Sequence, residues 1–155
     1  MRKSISFPRA ESCVIMEPQH SNSYGNVHGG VLMKMMDDIA GLAALKQAKG
    51  VVVTARVDEI VFHHPIHVGD IVTCVGQVAY VGSSSIQVMV SMEVHELEDY
   101  SNSSVAMTAF FTMVHLVDDK PAKVDPLIVR TKDEEELYKL GEAKYKEIKS
   151  KWKTV

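Results

Sequence analysis

Residues 22–44 read NSYGNVHGGVLMKMMDDIAGLAA, a polar loop with glycines that runs directly into an apolar segment. The apolar segment is hydrophobic nearly all round, which is typical of a buried helix. We predict a helix that begins at or just after Gly29-Gly30 and ends near Lys46, about 27 Å long at 1.5 Å per residue. It is too short and too polar to span a membrane. The sequence therefore predicts a central helix that the rest of the chain wraps.

Two adjacent aspartates in this helix are predicted to differ in exposure. Lys34 and Asp38 are four residues apart, so they can pair on one exposed edge. Asp37 lies instead on a face of apolar and small residues, which comprises Met33, Ala40, Gly41 and Ala44. We expect Asp37 to be semi-buried, a setting in which a carboxylate can act as a base. The alternative, that both aspartates are solvated, stays open.

The start of the helix is a second candidate site. The first backbone N–H groups of a helix have no partner within it, and the helix dipole adds partial positive charge. Glycine at positions 29 and 30 leaves these groups accessible to a substrate. The pair Gly29-Gly30 therefore predicts an anion or oxyanion site. A plain tight turn before a helix is the alternative.

The rest of the chain alternates between strands and turns. We predict a short strand at Cys13–Met16, followed after the helix by strands over 51–62, 71–81, 86–94 and 105–117. A linker over 119–130 leads to a C-terminal helix over about 131–153, with an acidic first turn and a basic last turn. This order predicts one α+β domain over 1–155, with its core over about 10–118. An antiparallel sheet of five or six strands would wrap the central helix.

Bulk composition argues against several functional classes. The 155 residues carry a formal net charge of -3, so no basic field favours nucleic acid or a membrane surface. Cys13 and Cys74 have no metal or redox spacing, and both are expected to be buried free thiols of a reducing compartment. The basic N-terminus lacks the apolar run of a signal peptide. We therefore expect a cytoplasmic protein.

The pattern Asn22-x-x-Gly25-x-x-His28-Gly29-Gly30, followed by Met36-Asp37, resembles the acyl-CoA hydrolase branch of the hotdog-fold thioesterases. The resemblance continues through 54–57 and 65–70 to the end of the last strand near Val117. It implies the hotdog fold, in which an antiparallel sheet wraps a helix. The sheet and helix pattern of the sequence favours the same arrangement independently.

The resemblance implies hydrolysis of fatty acyl-CoA to a fatty acid and CoA, with no cofactor. Asp37 would be the general base or the nucleophile, and Asn22 would orient the water or the substrate. The N–H of Gly30, with Gly29 beside it and His28 as a secondary residue, would polarise the thioester carbonyl. The resemblance also implies a dimer that shares its sites between subunits, often within a hexamer. Asn22 as a simple turn former is the alternative.

Recognition of CoA is less well marked in the sequence. No glycine-rich phosphate loop is present, but the resemblance places Thr54 and Arg56 at a strand position that contacts the CoA arm. Ser83, Ser84 and Ser85 lie in a turn that approaches the nucleotide in relatives, and a plain hairpin turn explains them nearly as well. Three histidines, His63, His64 and His67, fit no established zinc spacing, so no metal is predicted.

Two rival functions remain. A hotdog sensor that binds acyl-CoA without hydrolysing it would normally carry a DNA-binding module, and about a dozen residues precede the first predicted strand here. A hotdog dehydratase acting on acyl thioesters would use a catalytic histidine, and His28 leaves that reading open. The fold alone cannot separate these classes. The combination of Asn22 with Asp37 favours hydrolysis.

Overall fold

The computed structural model describes residues 4–152. Strand β1 spans Arg9–Ile15, and a single 3₁₀ turn, Pro18–His20, leads into the loop before helix α1, Gly29–Ala48. The strands that follow are β2 Val52–Phe62, β3 Ile71–Val81, β4 Ser85–His95, β5 Ser103–Val117 and the two-residue β6 Lys120–Pro121. Helix α2 spans Lys132–Trp152. The end predicted for this helix, near Lys153, lies outside the described residues.

The strands form one antiparallel sheet in the order β1-β3-β4-β5-β2, with β6 paired to the end of β5. Helix α1 contacts all five long strands from one side. Its residues Leu32, Met36, Ala40, Ala43 and Ala44 are buried against the inward side chains of the sheet. This confirms the predicted α+β architecture, a six-stranded sheet wrapped around a long central helix with a C-terminal helix in addition.

Helix α2 lies on the opposite face of the sheet. Gly141 allows its close approach, since a Cβ atom there would lie 2.9 Å from the Cβ of Ala79. Ile148, one of the apolar residues predicted to dock the helix, is also buried. The sheet is therefore covered by α1 on its inner face and by α2 on part of its outer face.

The first turn of α2 is fixed by a capping box. The Thr131 hydroxyl accepts a hydrogen bond from the Glu134 N–H at 3.1 Å, and the Glu134 carboxylate accepts from the Thr131 N–H at 3.1 Å. Glu134 is fully buried and also accepts from the Ser6 hydroxyl at 2.5 Å. The hydrogen bonds from Ser6, chiefly that of its hydroxyl, lower the pKa of Glu134 to about 2. One carboxylate thus ties the N-terminal segment to α2.

Two predictions about β1 were wrong. The strand covers Arg9–Ile15 rather than Cys13–Met16, because its charged first residues lie on an edge strand where they reach solvent. Cys13 is exposed, whereas Cys74 is buried as predicted, and both thiols are free. The apolar neighbours of Cys13 are exposed for the same reason, with Ile15 at 61%.

No helix in the described part of the chain combines the length and the apolar character needed to cross a membrane.

Candidate active site

The N-terminus of α1 is capped by His28. Its Nδ1 atom accepts a hydrogen bond from the Gly30 N–H at 3.0 Å, and its carbonyl accepts from the Val31 N–H at 3.0 Å. Since Nδ1 accepts, the proton of the neutral ring is on Nε2. The Gly30 N–H predicted to bind the thioester oxygen therefore has an intramolecular partner. Within residues 4–152 no hydrogen bond involves the Gly29 N–H, so Gly29 offers the accessible donor.

Asn22 lies in the loop before α1, and its side chain bonds to the backbone of the same loop. Its Oδ1 atom accepts hydrogen bonds from the backbone N–H groups of Tyr24 at 2.9 Å and Asn26 at 3.3 Å. These two donors fix the orientation of the amide, because only the oxygen can accept. The turn-forming role and the functional role are therefore compatible. The Nδ2 group remains as a donor, and Asn22 lines the cavity beside Gly29.

A cavity of about 440 Å³ opens at this end of α1. Asn22 and Gly29 contribute its polar rim, and apolar side chains of Leu32, Phe62 and Met107 contribute its walls. His63 and His64 lie at its edge, where their Nε2 atoms are 3.1 Å from the hydroxyls of Thr108 and Ser104 respectively. Among the described residues, no three His, Cys, Asp or Glu side chains are grouped so that they could hold a metal ion.

Asp37 lies eight residues after Gly29 on α1, about 12 Å away at 1.5 Å per residue. Its Oδ1 atom accepts a hydrogen bond from the hydroxyl of Thr54 on β2. Asp37 is half-buried, as predicted, whereas Asp38 is exposed and pairs with Lys34 at 3.2 Å. The two aspartates thus differ in exposure, as their positions on different faces of the helix predict. The contact with Thr54 was not predicted, because sequence reasoning assigned Thr54 to CoA binding.

The opening at Asp37 is a groove of about 750 Å³ with an apolar wall. Leu42 and Leu45 of α1 line it together with Val51, just before β2, and Val53, near the start of β2, and these four residues are 42–63% exposed. This groove and the cavity at Asn22 share no lining residue. Within one chain, the structure therefore does not bring Asn22 and Gly29 together with Asp37.

Comparisons with known proteins identify the family of this chain. A sequence model of the thioesterase superfamily matches residues 24–98. The structure of an acyl-CoA hydrolase from Staphylococcus aureus, solved in complex with butyryl coenzyme A, coenzyme A and coenzyme A disulfide, superposes with a TM-score of 0.82. It is 31% identical, and the match covers 98% of this chain and 96% of that one. The chain belongs to the acyl-CoA thioester hydrolase family.

Two further relatives differ in how much of their own length the chain matches. The cytosolic acyl coenzyme A thioester hydrolase of Rattus norvegicus is 33% identical over 150 residues, 96% of this chain. The match spans 39% of the length of that relative, so the chain corresponds to about two fifths of it. A hexameric thioesterase from Yersinia pestis superposes with a TM-score of 0.70 at 32% identity, covering 75% of this chain and 94% of that one.

Arg56, predicted from the sequence to contact CoA, faces away from Asp37. A register shift lies between Thr54 and Arg56 in the pairing of β2 with β5. The Arg56 Nε–H donates to both carboxylate oxygens of Asp58 at 2.9 Å, and its guanidinium lies 5.2 Å from the ring centroid of Trp152 on α2. Arg56 thus packs toward α2 on the outer face, whereas Thr54 contacts α1.

The serine turn before β4 is anchored to the linker that precedes α2. The Ser83 carbonyl accepts from the Val124 N–H, and the Ser84 carbonyl accepts from the His115 N–H, each at 2.9 Å. Ser83 is exposed and Ser84 is half-buried, whereas Ser85 is buried. Of the three serines, Ser83 and Ser84 are therefore the ones accessible to solvent.

Proposed function

We propose that this chain hydrolyses acyl-CoA thioesters to a carboxylic acid and CoA. The observation that carries the proposal is the Asp37 carboxylate, half-buried in a large groove and held by the Thr54 hydroxyl. A carboxylate positioned in this way can take a proton from water. Membership of the acyl-CoA thioester hydrolase family supports the same chemistry.

In the proposed reaction Asp37 acts as the general base. Thr54 donates to Oδ1 and thereby sets the direction of the carboxylate, which leaves Oδ2 for the attacking water. As the water attacks the thioester carbonyl carbon, its proton passes to Asp37. When the carbon–sulfur bond breaks, the electron pair leaves with the sulfur, and the proton on Asp37 is transferred to the thiolate to give free CoA. A positioned base of this kind contributes about 10²–10⁴ in rate.

The negative charge that develops on the carbonyl oxygen requires donors. The Gly29 N–H at the start of α1 and the Nδ2 group of Asn22 line one cavity, and both can donate. The partial positive charge at the helix N-terminus adds to their effect. Asn22 would therefore polarise the carbonyl as a donor, since its oxygen is already occupied by backbone N–H groups.

We propose that the cavity at Asn22 and the groove at Asp37 meet between two copies of the chain, so that each copy supplies half of an active site. The wall of the Asp37 groove is an exposed apolar surface beside the edge strand β2, which has no neighbour on one side. Exposed apolar edges of this kind are places where another chain pairs. A two-fold dimer would repeat the contact twice and build two identical sites. Each site would combine Asn22 and Gly29 of one copy with Asp37 and Thr54 of the other.

The related Staphylococcus aureus hydrolase supports this choice of residues. Its alanine mutants with separate solved structures replace an asparagine, an aspartate and a threonine. Those three positions are separated by 15 and 17 residues, and the same separations hold between Asn22, Asp37 and Thr54. The hexameric neighbour supports further assembly of the dimer into a trimer of dimers. The cytosolic relative supports a place in the cytoplasm.

Thiol release from a panel of acyl-CoAs of increasing chain length tests the proposal. We expect turnover by the wild-type chain and a loss of about 10²–10⁴ in kcat for Asp37→Asn. The matched variant Asp38→Asn removes a neighbouring charge and should retain near wild-type turnover, because its ion pair with Lys34 is exposed. Binding of acyl-CoA with no turnover of any substrate would replace the hydrolase proposal by a sensor. Equal losses in both variants would contradict the assignment of Asp37.

A further inference from the structure

A groove of about 450 Å³ lies on the outer face of the sheet. Helix α2 packs closely against the end of β3 at Gly141 and also contacts β4. Its Lys144 reaches Phe110 of β5, and its Trp152 reaches Arg56 of β2. The groove lies between this helix and the sheet. We call it the outer groove, and its principal lining residues are Val75, Met89, Phe110, Leu137 and Lys144.

The outer groove is separate from the proposed active site. Met89 lies between Val88 and Val90, which are 0% and 2% exposed and pack against the α1 side of the sheet. Because successive side chains of a strand point to opposite faces, Met89 points away from α1. Phe110 lies outward in the same way. No residue of the outer groove lines the cavity at Asn22 or the groove at Asp37.

Among the described residues that line the outer groove, seven of twelve are apolar, and the ion pair of Lys144 with Glu59 lies at its edge. Within residues 4–152, Lys144 is the only basic residue lining it, and its side chain is 28% exposed. The ammonium lies 5.9 Å from the ring centroid of Phe110 and 2.8 Å from the carboxylate of Glu59. An ammonium has three N–H donors, so Lys144 can donate a hydrogen bond to a second anionic group.

Glu59 is a weak competitor for this cation. Its side chain is 49% exposed, and an exposed ion pair contributes little to stability. Glu59 lies where the pairing of β2 with β5 is irregular, and it has a positive φ of 52°. An incoming carboxylate could therefore share Lys144 with Glu59 or displace it toward solvent.

We propose that the outer groove binds an aliphatic monocarboxylate, with its carboxylate on Lys144 and its chain over Met89, Phe110 and Leu137. Lys144 at one edge complements a carboxylate, the floor of the groove is apolar, and its volume lies within the range of 300–1,000 Å³ typical of small-molecule sites. Met89 adds adaptability, because a thioether side chain fits chains of varied shape. The proposal concerns binding alone and does not depend on the hydrolase activity.

Dodecanoate binding to the full chain, measured by calorimetry with saturating CoA present, tests this proposal. CoA occupies the coenzyme part of the proposed substrate site but leaves its acyl part empty, so the Lys144 variant identifies which binding belongs to the outer groove. We expect one micromolar site per chain, several-fold weaker in Lys144→Met, since an ion pair at this partly exposed ammonium contributes modestly to affinity. Glu59→Gln should bind dodecanoate several-fold more tightly because a competing carboxylate is removed. The affinity for uncharged dodecanol should be unchanged by Lys144→Met.

Lys146→Met is the matched control, since Lys146 lies on the same helix, is 70% exposed and pairs only loosely with Glu142 at 3.8 Å. It should bind dodecanoate like the wild type. The proposal is overturned if CoA displaces the dodecanoate, if binding occurs only at millimolar concentration, or if Lys144→Met and Lys146→Met bind equally. If the chain hydrolyses acyl-CoA but fails this test, only the outer-groove proposal is rejected. If it binds dodecanoate as described but hydrolyses no acyl-CoA, only the proposed function is rejected.

Discussion

The hydrogen bond from Thr54 to Asp37 allows a sharp test of how the site is organised. Thr54→Val keeps the shape of the side chain and removes the hydroxyl that donates to Oδ1 of Asp37. Hydrogen bonds to charged groups contribute about 1.5–3 kcal/mol. Thr54 is exposed and Asp37 is half-buried, so we take the lower end of this range. A loss of about 1.5 kcal/mol in orienting the base corresponds to roughly a tenfold lower kcat.

Steady-state thiol release should show this loss in kcat with little change in KM, because Thr54 holds the base and is proposed to make no contact with substrate. Thr54→Ser restores a hydroxyl and should recover most of the rate. Thr73→Val is a matched control on the outer face, where its hydroxyl lies 2.7 Å from Nε2 of His95. It should lower stability without lowering kcat. A Thr54→Val enzyme with normal kcat and raised KM would refute the positioning role and restore the original prediction of CoA binding.

Three further predictions concern stability and reactivity. The pKa of Glu134 falls from 4.5 to about 2 on folding, so its stabilising contribution is complete above pH 4.5 and is lost as pH falls toward 2. Chemical denaturation at several pH values should therefore show that Glu134→Gln is less stable than the wild type at pH 7. The difference in stability should shrink below pH 4.5. Alkylation followed by mass spectrometry should label Cys13 in the native protein and spare Cys74, whose pKa is raised to about 12 by burial. Gly76→Ala should cost about 1–3 kcal/mol in chemical denaturation, since its Cβ would lie 2.8 Å from Cγ2 of Ile39.

The fold could be predicted because its signals are local. The mostly apolar character of 31–45, interrupted by Lys34, Asp37 and Asp38, marks the buried helix, and the alternation of apolar and polar residues marks β4. Sequence reasoning did not distinguish an edge strand from a central one, because both can carry apolar residues. For that reason the sequence pattern places Cys13 in the interior and starts the first strand at Cys13 rather than at Arg9.

The site was less predictable because its contacts are not local. Thr54 reaches Asp37 across the space between a strand and a helix, and no spacing in the sequence encodes that contact. The register shift after Thr54 turns Arg56 to the other face of the sheet, which a regular strand would not do. The hydrogen bond from Gly30 to His28 is local and follows from ordinary capping at the second helical position. It could have been predicted from the sequence.

The most direct test of the account is complementation between two inactive variants. Asn22→Ala and Asp37→Asn, each inactive alone, should be coexpressed so that mixed dimers form. If each site takes Asn22 and Asp37 from different copies, a mixed dimer has one intact site of two, and random mixing should restore about a quarter of wild-type thiol release. Mixed dimers with no recovered activity would contradict the shared site and would place both residues within one chain.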